Sequence, residues 1–287
     1  MIDARFLSVM TSTTRNRENP RSMSDPHRRL LCDSAFFAES QAGAAELKLA
    51  YAFEQALDVA VLIGDPGLGK TTLLRRFASR VEATGDTVID VFYPQLGADG
   101  LLAFIAGELD GEPTSSGRRE DWIRRIANRV RRTAEQGCGL VIVVDDAHLM
   151  ADAATLESLQ LLLNLREREN ARLTLVMAGQ RSLIANLNRV PALAQRIGVT
   201  ATLLPLSRTE TASYARHFLR AMRHAEVTID DDAALALHEM TGGVPRAVNR
   251  LCEMAIVVAA ADGASTIRRA DVQTVAGELP RFGCDAA

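Results

Sequence analysis

Residues 61–74 read VLIGDPGLGKTTLL, an apolar run that breaks into glycines and resumes as Lys-Thr-Thr-Leu-Leu. Gly64, Gly69, Lys70 and Thr71 satisfy G-x-x-x-x-G-K-[ST] at every fixed position. The residue types suit one task. Glycines let backbone N–H groups turn inward onto phosphate oxygens, and the helix that follows adds the positive end of its dipole. Lys70 is placed for the β- and γ-phosphates, and Thr71 offers a hydroxyl to Mg²⁺. Asp65, Pro66, Gly67, Leu68 and Thr72 complete the wrap. An accidental glycine turn would share the glycines but not the Lys-Thr pair between a strand and a helix.

Working outward, the chain has 287 residues, 47 % hydrophobic and 24 % charged, which suits a folded protein with a sizeable core. A formal net charge of −3 gives no global attraction to nucleic acid or anionic membrane, so any basic surface has to be local. Lys48 and Lys70 are the only lysines, which makes the lysine in the loop conspicuous. The four cysteines are scattered, with no C-x-x-C pair, arguing against a zinc site or disulfide framework. No segment reaches the roughly 18 uninterrupted apolar residues of a membrane span, and a cytoplasmic location is expected.

Short apolar runs alternate with helical periodicity. Strands are expected at 59–63, 87–93, 139–144, 173–178 and 199–204, and helices at 43–57, 70–83, 100–109, 121–136 and 152–168, with a loop at 112–117. Apolar strands alternating with helices imply an α/β fold, a parallel sheet covered on both faces. Beyond Pro205 the character changes. Ser207 and Glu210 form a capping box, Asp230 can cap a second helix that Gly242–Gly243 end, and Pro245 fits the first turn of a third. The expected organisation is a flexible tail over 1–30, an α/β nucleotide-binding core over 31–205, an all-helical subdomain over 206–280 and a short tail over 281–287.

The strand LVIVVDD ends in two carboxylates. Asp145 at its tip is placed to hold the Mg²⁺ shell, and Asp146 to orient or activate an attacking water. Alternatively, the pair only closes a buried strand. Neither the N-K-x-D element of G proteins nor the transporter signature L-S-G-G-Q is present.

GDPGLGKTT, VIVVDDAHLM, LTLVMAGQRSL, LAQRI at 193–197 and TGGVPRAVNRLC occur in that order. With the Phe36-Phe37 pair, they resemble an AAA+ ATPase, more narrowly the ExeA-type ATPases of the general secretion pathway and the related TnsC-, TniB- and MuB-like transposition ATPases. The resemblance covers about 36–275. It implies a three-layer P-loop core with a five-stranded parallel sheet of order 5-1-4-3-2, a helical lid, ATP and Mg²⁺ as ligands, and homo-oligomers. It also implies roles. Gln180 matches a polar sensor of the γ-phosphate, Arg196 an arginine finger acting on a neighbouring subunit, and Arg246 a second sensor on the lid. Their ordinary alternatives are a loop amide, a surface arginine and a helix-start arginine. Asp146 departs from the usual glutamate by one methylene, which implies slower hydrolysis.

Two uses follow from the resemblance: regulation of a protein machine of the secretion or envelope kind, or oligomerisation on duplex DNA as a transposition regulator. Within 118–132, RREDWIRRIANRVRR, Trp122, Ile123, Ile126 and Val130 share a face that should be core, and Arg125, Arg129 and Arg132 form a stripe. That stripe would track DNA phosphates, or else is a solvated helix face.

Overall fold

The computed structural model describes residues 37, 41–111, 117–150, 152–222 and 227–278. The expected tails at 1–30 and 281–287, Phe36 and most of the 112–117 loop lie outside them. Two compact units emerge. One draws on Glu46–Ile63 and Leu74–Ala201; the other draws on Gly64–Leu73, the segment up to Ala45, and the chain from Thr202 onward.

The first unit is built on five strands: β1 (Val59–Ile63), β2 (Thr87–Val91), β3 (Gly139–Val144), β4 (Arg172–Gly179) and β5 (Ile197–Thr202). Their order is β2-β3-β4-β1-β5, which is 5-1-4-3-2 read from the other edge. Parallel register pairs Val59 with Leu175, Val144 with Met177 and Val91 with Val144. β1 and β3 are buried along their whole length, which is why they are unbroken runs of Val, Ile and Leu. The outer strands β2 and β5 keep exposed positions. β2 stops at Val91, two residues before the expected end, and Phe92 and Tyr93 are exposed.

Helices α1 (Gln41–Glu54), α2 (Lys70–Ala83), α3 (Ala98–Asp110), α4 (Arg119–Glu135) and α5 (Ala153–Arg168) follow the predicted positions to within a few residues. Leu101, Ile105, Ile126, Leu156 and Leu159 pack into one core with the strands. Glu46 is a buried acid, and it is held by Arg76 at 3.1 Å and Arg80 at 2.7 Å. Two short helices between β4 and β5 were not anticipated: α6 (Ser182–Asn188) and α7 (Pro191–Ala194). They are too short for a helical period to register. On α4, Ile126 and Val130 are core, but Trp122 is half-buried and Ile123 is exposed, so the apolar face is narrower than the spacing suggested.

The second unit's carboxy-terminal part holds α8 (Arg208–Ala221), α9 (Asp231–Thr241), α10 (Pro245–Ala261) and α11 (Arg269–Glu278). Tyr214, Phe218, Leu237, Leu251, Cys252 and Val272 form its core. The predicted capping box is present: the Glu210 N–H donates to Ser207 Oγ, and the Ser207 N–H to Glu210 Oε2 at 2.8 Å. Asp230 accepts from the Ala233 N–H at 2.6 Å, and Pro245 opens α10. Gly243 requires glycine: a Cβ there would sit 2.0 Å from the Leu206 carbonyl oxygen. The expectation of purely helical structure needs one correction. β6 (Thr228–Ile229) and β7 (Thr266–Ile267) form a parallel pair, two residues each, with the threonine hydroxyls 2.9 Å apart. Pairs that short leave no periodic signal. Among the described residues no helix is long and apolar enough to cross a membrane.

Candidate functional site

In the second unit, the loop that follows β1 adopts the backbone its glycines permit. Gly67 and Gly69 have φ of 85° and 93°, in the left-handed region that other residues avoid. Lys70, the first residue of α2, is 7 % exposed. Its Nζ donates to the Gly64 carbonyl at 2.8 Å and the Asp65 carbonyl at 3.1 Å. Burying an ammonium is costly, and the arrangement is favourable where an anion binds beside it. Thr71 is exposed and Thr72 half-buried, both within the first turn of the helix.

The loop is fastened to the start of α10. The Arg246 N–H donates to the Gly67 carbonyl at 3.2 Å. A Cβ on Gly67 would lie 2.9 Å from Val244 Cγ1 and 3.2 Å from Arg246 Cβ. The Arg246 side chain is exposed. Beside the loop, a cavity is lined by Phe37, Leu68, Gly69, Thr72, Tyr214 and Pro245, with Glu210 at its wall. Phe37 meets the Tyr214 ring edge-on, with centroids 6.0 Å apart. Burial pushes the Tyr214 hydroxyl up to about 12, against a hydrogen bond with Asn249 that lowers it.

A separate constellation forms in the first unit at the ends of β3 and β4. Asp145 is half-buried and its Oδ1 accepts the Asp146 N–H at 2.9 Å. Asp146 is left-handed, φ 48° and ψ 33°, and opens a 3-10 turn over Ala147–Leu149. The turn presents His148, whose Nε2 is 3.0 Å from Gln180 Nε2 and whose Nδ1 is 3.9 Å from Asp146 Oδ1. Asn186 Nδ2 donates to the His148 carbonyl at 2.9 Å. Gly179 permits the approach, since a Cβ there would be 3.1 Å from the His148 nitrogen. On β2, the Asp90 carboxyl is raised above its ordinary range, first by desolvation and then by the charge of Asp145; Arg75 opposes and Glu108 adds to the rise.

The structure thus brings Gly64, Asp65, Gly67, Lys70 and Arg246 together in one unit, and Asp145, Asp146 and Gln180 in the other. Arg196 is engaged elsewhere. Its Nη2 donates to Asn164 Oδ1 at 2.6 Å, and its Nη1 lies 3.8 Å from Asp58, which also pairs with Arg166. The arginine stripe is not uniform either: Arg125 is bonded to Asp110 at 2.6 Å, whereas Arg129 and Arg132 are exposed. Sequence reasoning passed over His148, although it stands three residues beyond Asp145, and over Asp90, which only the sheet order brings beside β3.

Residues 56–187 match the family model described as the AAA domain. Over 240 residues the chain is 30 % identical to the General secretion pathway protein A of Aeromonas hydrophila, covering 83 % of this chain and 43 % of that protein. The chain carries an AAA domain and has the AAA+ fold. It spans less than half of that secretion relative. Among solved structures, the AAA+ chain is similar to the RuvB Holliday junction branch migration motor of Thermotoga maritima, with TM-score 0.61 and 23 % identity over 87 % of this chain and 73 % of that one. It is similar also to the ORC2 protein of Aeropyrum pernix in its ADPNP–ADP complexes, with TM-score 0.63 and 18 % identity over 85 % and 68 %. At those identities the likeness is one of fold.

Proposed function

We propose that this AAA+ protein binds ATP with Mg²⁺ and hydrolyses it, in an oligomer whose neighbouring subunits complete the site. The observation that carries the reading is the buried Lys70 ammonium, folded against the Gly64 and Asp65 carbonyls inside a loop with two left-handed glycines. Such a loop presents backbone N–H groups and one cation to a polyphosphate. The cavity beside it, mainly apolar with Gln41, Thr72 and Glu210 among its lining, suits a flat base. Mg²⁺, when bound, neutralises phosphate charge. Thr71 and Asp145 are the residues assigned to hold it. Such a cation takes one or two protein oxygens and the rest from phosphate and water.

Asp146 orients the attacking water and accepts its proton, and Gln180 reads the γ-phosphate. Arg196 is assigned to the neighbour's nucleotide, stabilising charge on the transferring phosphoryl group. For that role it must exchange its bonds to Asn164 and Asp58 for contacts across the subunit boundary. The similarity to a secretion-pathway protein favours a partner that is a protein machine of that kind, with the protein acting in the cytoplasm. The transposition-type reading, with duplex DNA as partner, rests on Arg129 and Arg132, since Arg125 already has Asp110. Replacing Arg125, Arg129 and Arg132 together with alanine leaves ATP turnover intact under the first reading and abolishes duplex-DNA binding under the second.

Titration with a fluorescent ATP analogue tests the loop directly. Lys70→Ala should weaken binding ~100-fold or more, a loss of about 3 kcal/mol. Undiminished affinity would remove the basis of the proposal. Arg196→Ala should lower turnover ~100-fold at unchanged affinity, and subunit mixing should show the defect in trans.

A further inference from the structure

The Asp146–His148–Gln180 cluster holds more chemistry than its two assigned members use. A neutral imidazole has one N–H and one lone pair, and its surroundings decide which nitrogen carries the proton. Gln180 presents its amide nitrogen, a donor only, 3.0 Å from His148 Nε2. Nε2 must then accept, which leaves the proton on Nδ1. That Nδ1 is buried and has no hydrogen-bond partner, and it faces Asp146 Oδ1 at 3.9 Å. A buried donor without a partner is unfavourable, and a carboxylate about 1 Å nearer would satisfy it through a charge-assisted bond.

The cluster is also built asymmetrically. The His148 side chain is 11 % exposed and the Asp146 side chain 57 % exposed, so the carboxylate is the member free to move. The histidine is fixed from behind. Asn186 donates to its carbonyl at 2.9 Å and to that of Met150 at 3.4 Å, pinning the 3-10 turn. Gly179 lets β4 approach that turn more closely than any larger residue would allow.

We propose that His148 is a positioning residue, passing the state of the Gln180 amide to the Asp146 carboxylate. Gln180 has two amide hydrogens: one donates to His148 Nε2 and the other is available to a γ-phosphate. With the first in place, His148 holds the Nδ1–H tautomer and draws the Asp146 carboxylate into one orientation. This supplies what the short side chain lacks, since aspartate reaches one methylene less than glutamate. When Gln180 turns away, Nε2 loses its donor, the tautomer is no longer fixed and the carboxylate is released. The inference rests on the proposed ATPase reading for its purpose, but not for its geometry.

Two measurements on the full-length protein test it. The first is a long-range proton–nitrogen spectrum of the ¹⁵N-histidine protein, which has five histidines; His148 is assigned by the signal lost in His148→Gln. The expected result is the Nδ1–H tautomer, lost or mixed in Gln180→Leu. An Nε2–H tautomer, or one indifferent to Gln180→Leu, overturns the proposal. The second is steady-state turnover. His148→Ala should lower kcat ~10- to 100-fold with KM changed less than ~2-fold, a loss confined to the transition state. His148→Gln, whose amide can accept from Gln180 and donate to Asp146, should recover most of it. The His148→Ala/Gln180→Ala double variant should be no worse than the poorer single. Multiplying effects, or a loss that appears in KM, would mean the two residues act separately. If wild-type turnover does not exceed that of Lys70→Ala, the ATPase reading fails, and the spectrum still decides the linkage.

Discussion

The phosphate loop and the acid–amide cluster are two solutions to holding functional groups in place, and they differ in where the geometry is stored. In the loop it is stored in the backbone. Gly67 and Gly69 take left-handed φ, and Lys70 folds onto carbonyls five and six residues before it. In the cluster it is stored in side chains from separate strands. Asp146, His148 and Gln180 span 35 sequence positions and meet because β3 and β4 are neighbours in parallel register. A backbone device tolerates almost no change at its glycines, whereas a side-chain device fails by degrees. The contrast predicts different responses to substitution.

The largest effect is expected at the cluster's reacting end. Asp146→Asn keeps the size and the tolerance for a left-handed backbone but removes the base, so kcat should fall ~100-fold or more with ATP affinity retained. An equal loss of affinity would place Asp146 in binding rather than chemistry. Next come the glycines. Gly67→Ala combines a left-handed φ with a Cβ 2.9 Å from Val244, and it should lower stability by about 2–3 kcal/mol. Gly69→Ala has no heavy atom within 4 Å of the new Cβ, so only the backbone cost of about 1 kcal/mol remains. Thermal denaturation of the two variants ranks them; equal losses would mean that the contact with the start of α10 contributes nothing.

The smallest effect concerns Asp90. Its folded-state pKa lies above the ordinary 3.8, because desolvation and the charge of Asp145 oppose ionisation. As pH rises from that ordinary value, the unfolded chain releases its proton first, so the folded state holds more protons and stability falls. The penalty is complete above the raised value and absent below the ordinary one. Asp90→Asn removes it, so the variant's advantage in Tm should grow as pH rises from about 4 toward neutrality. A pH-independent difference would show that neither desolvation nor the charge of Asp145 opposes ionisation of Asp90.

The same contrast explains what could be read from the sequence. The loop was legible because its residues are contiguous and its φ requirements appear as glycines. β1 and β3 were legible because burial on both faces leaves unbroken apolar runs. The sheet order came from the resemblance to a known family rather than from periodicity. β5 was expected at 199–204 and lies at Ile197–Thr202, because an edge strand with exposed positions resembles the loop beside it. Asp145, Asp146 and Gln180 stood out as candidates in the sequence, but His148 and Asp90 did not. A histidine in a three-residue turn and a carboxylate at a neighbouring strand end gain significance only when the sheet brings them together. Arg196 was read as poised to act outward, yet in the single chain it is spent on Asn164 and Asp58.

Steady-state ATP turnover over a wide range of protein concentration, wild type beside Lys70→Ala, tests the central claim most directly. Specific activity should rise with concentration as neighbouring subunits complete each site, and Lys70→Ala should stay silent throughout. Wild-type turnover no greater than that of Lys70→Ala, or specific activity independent of concentration, would contradict an ATPase assembled between subunits.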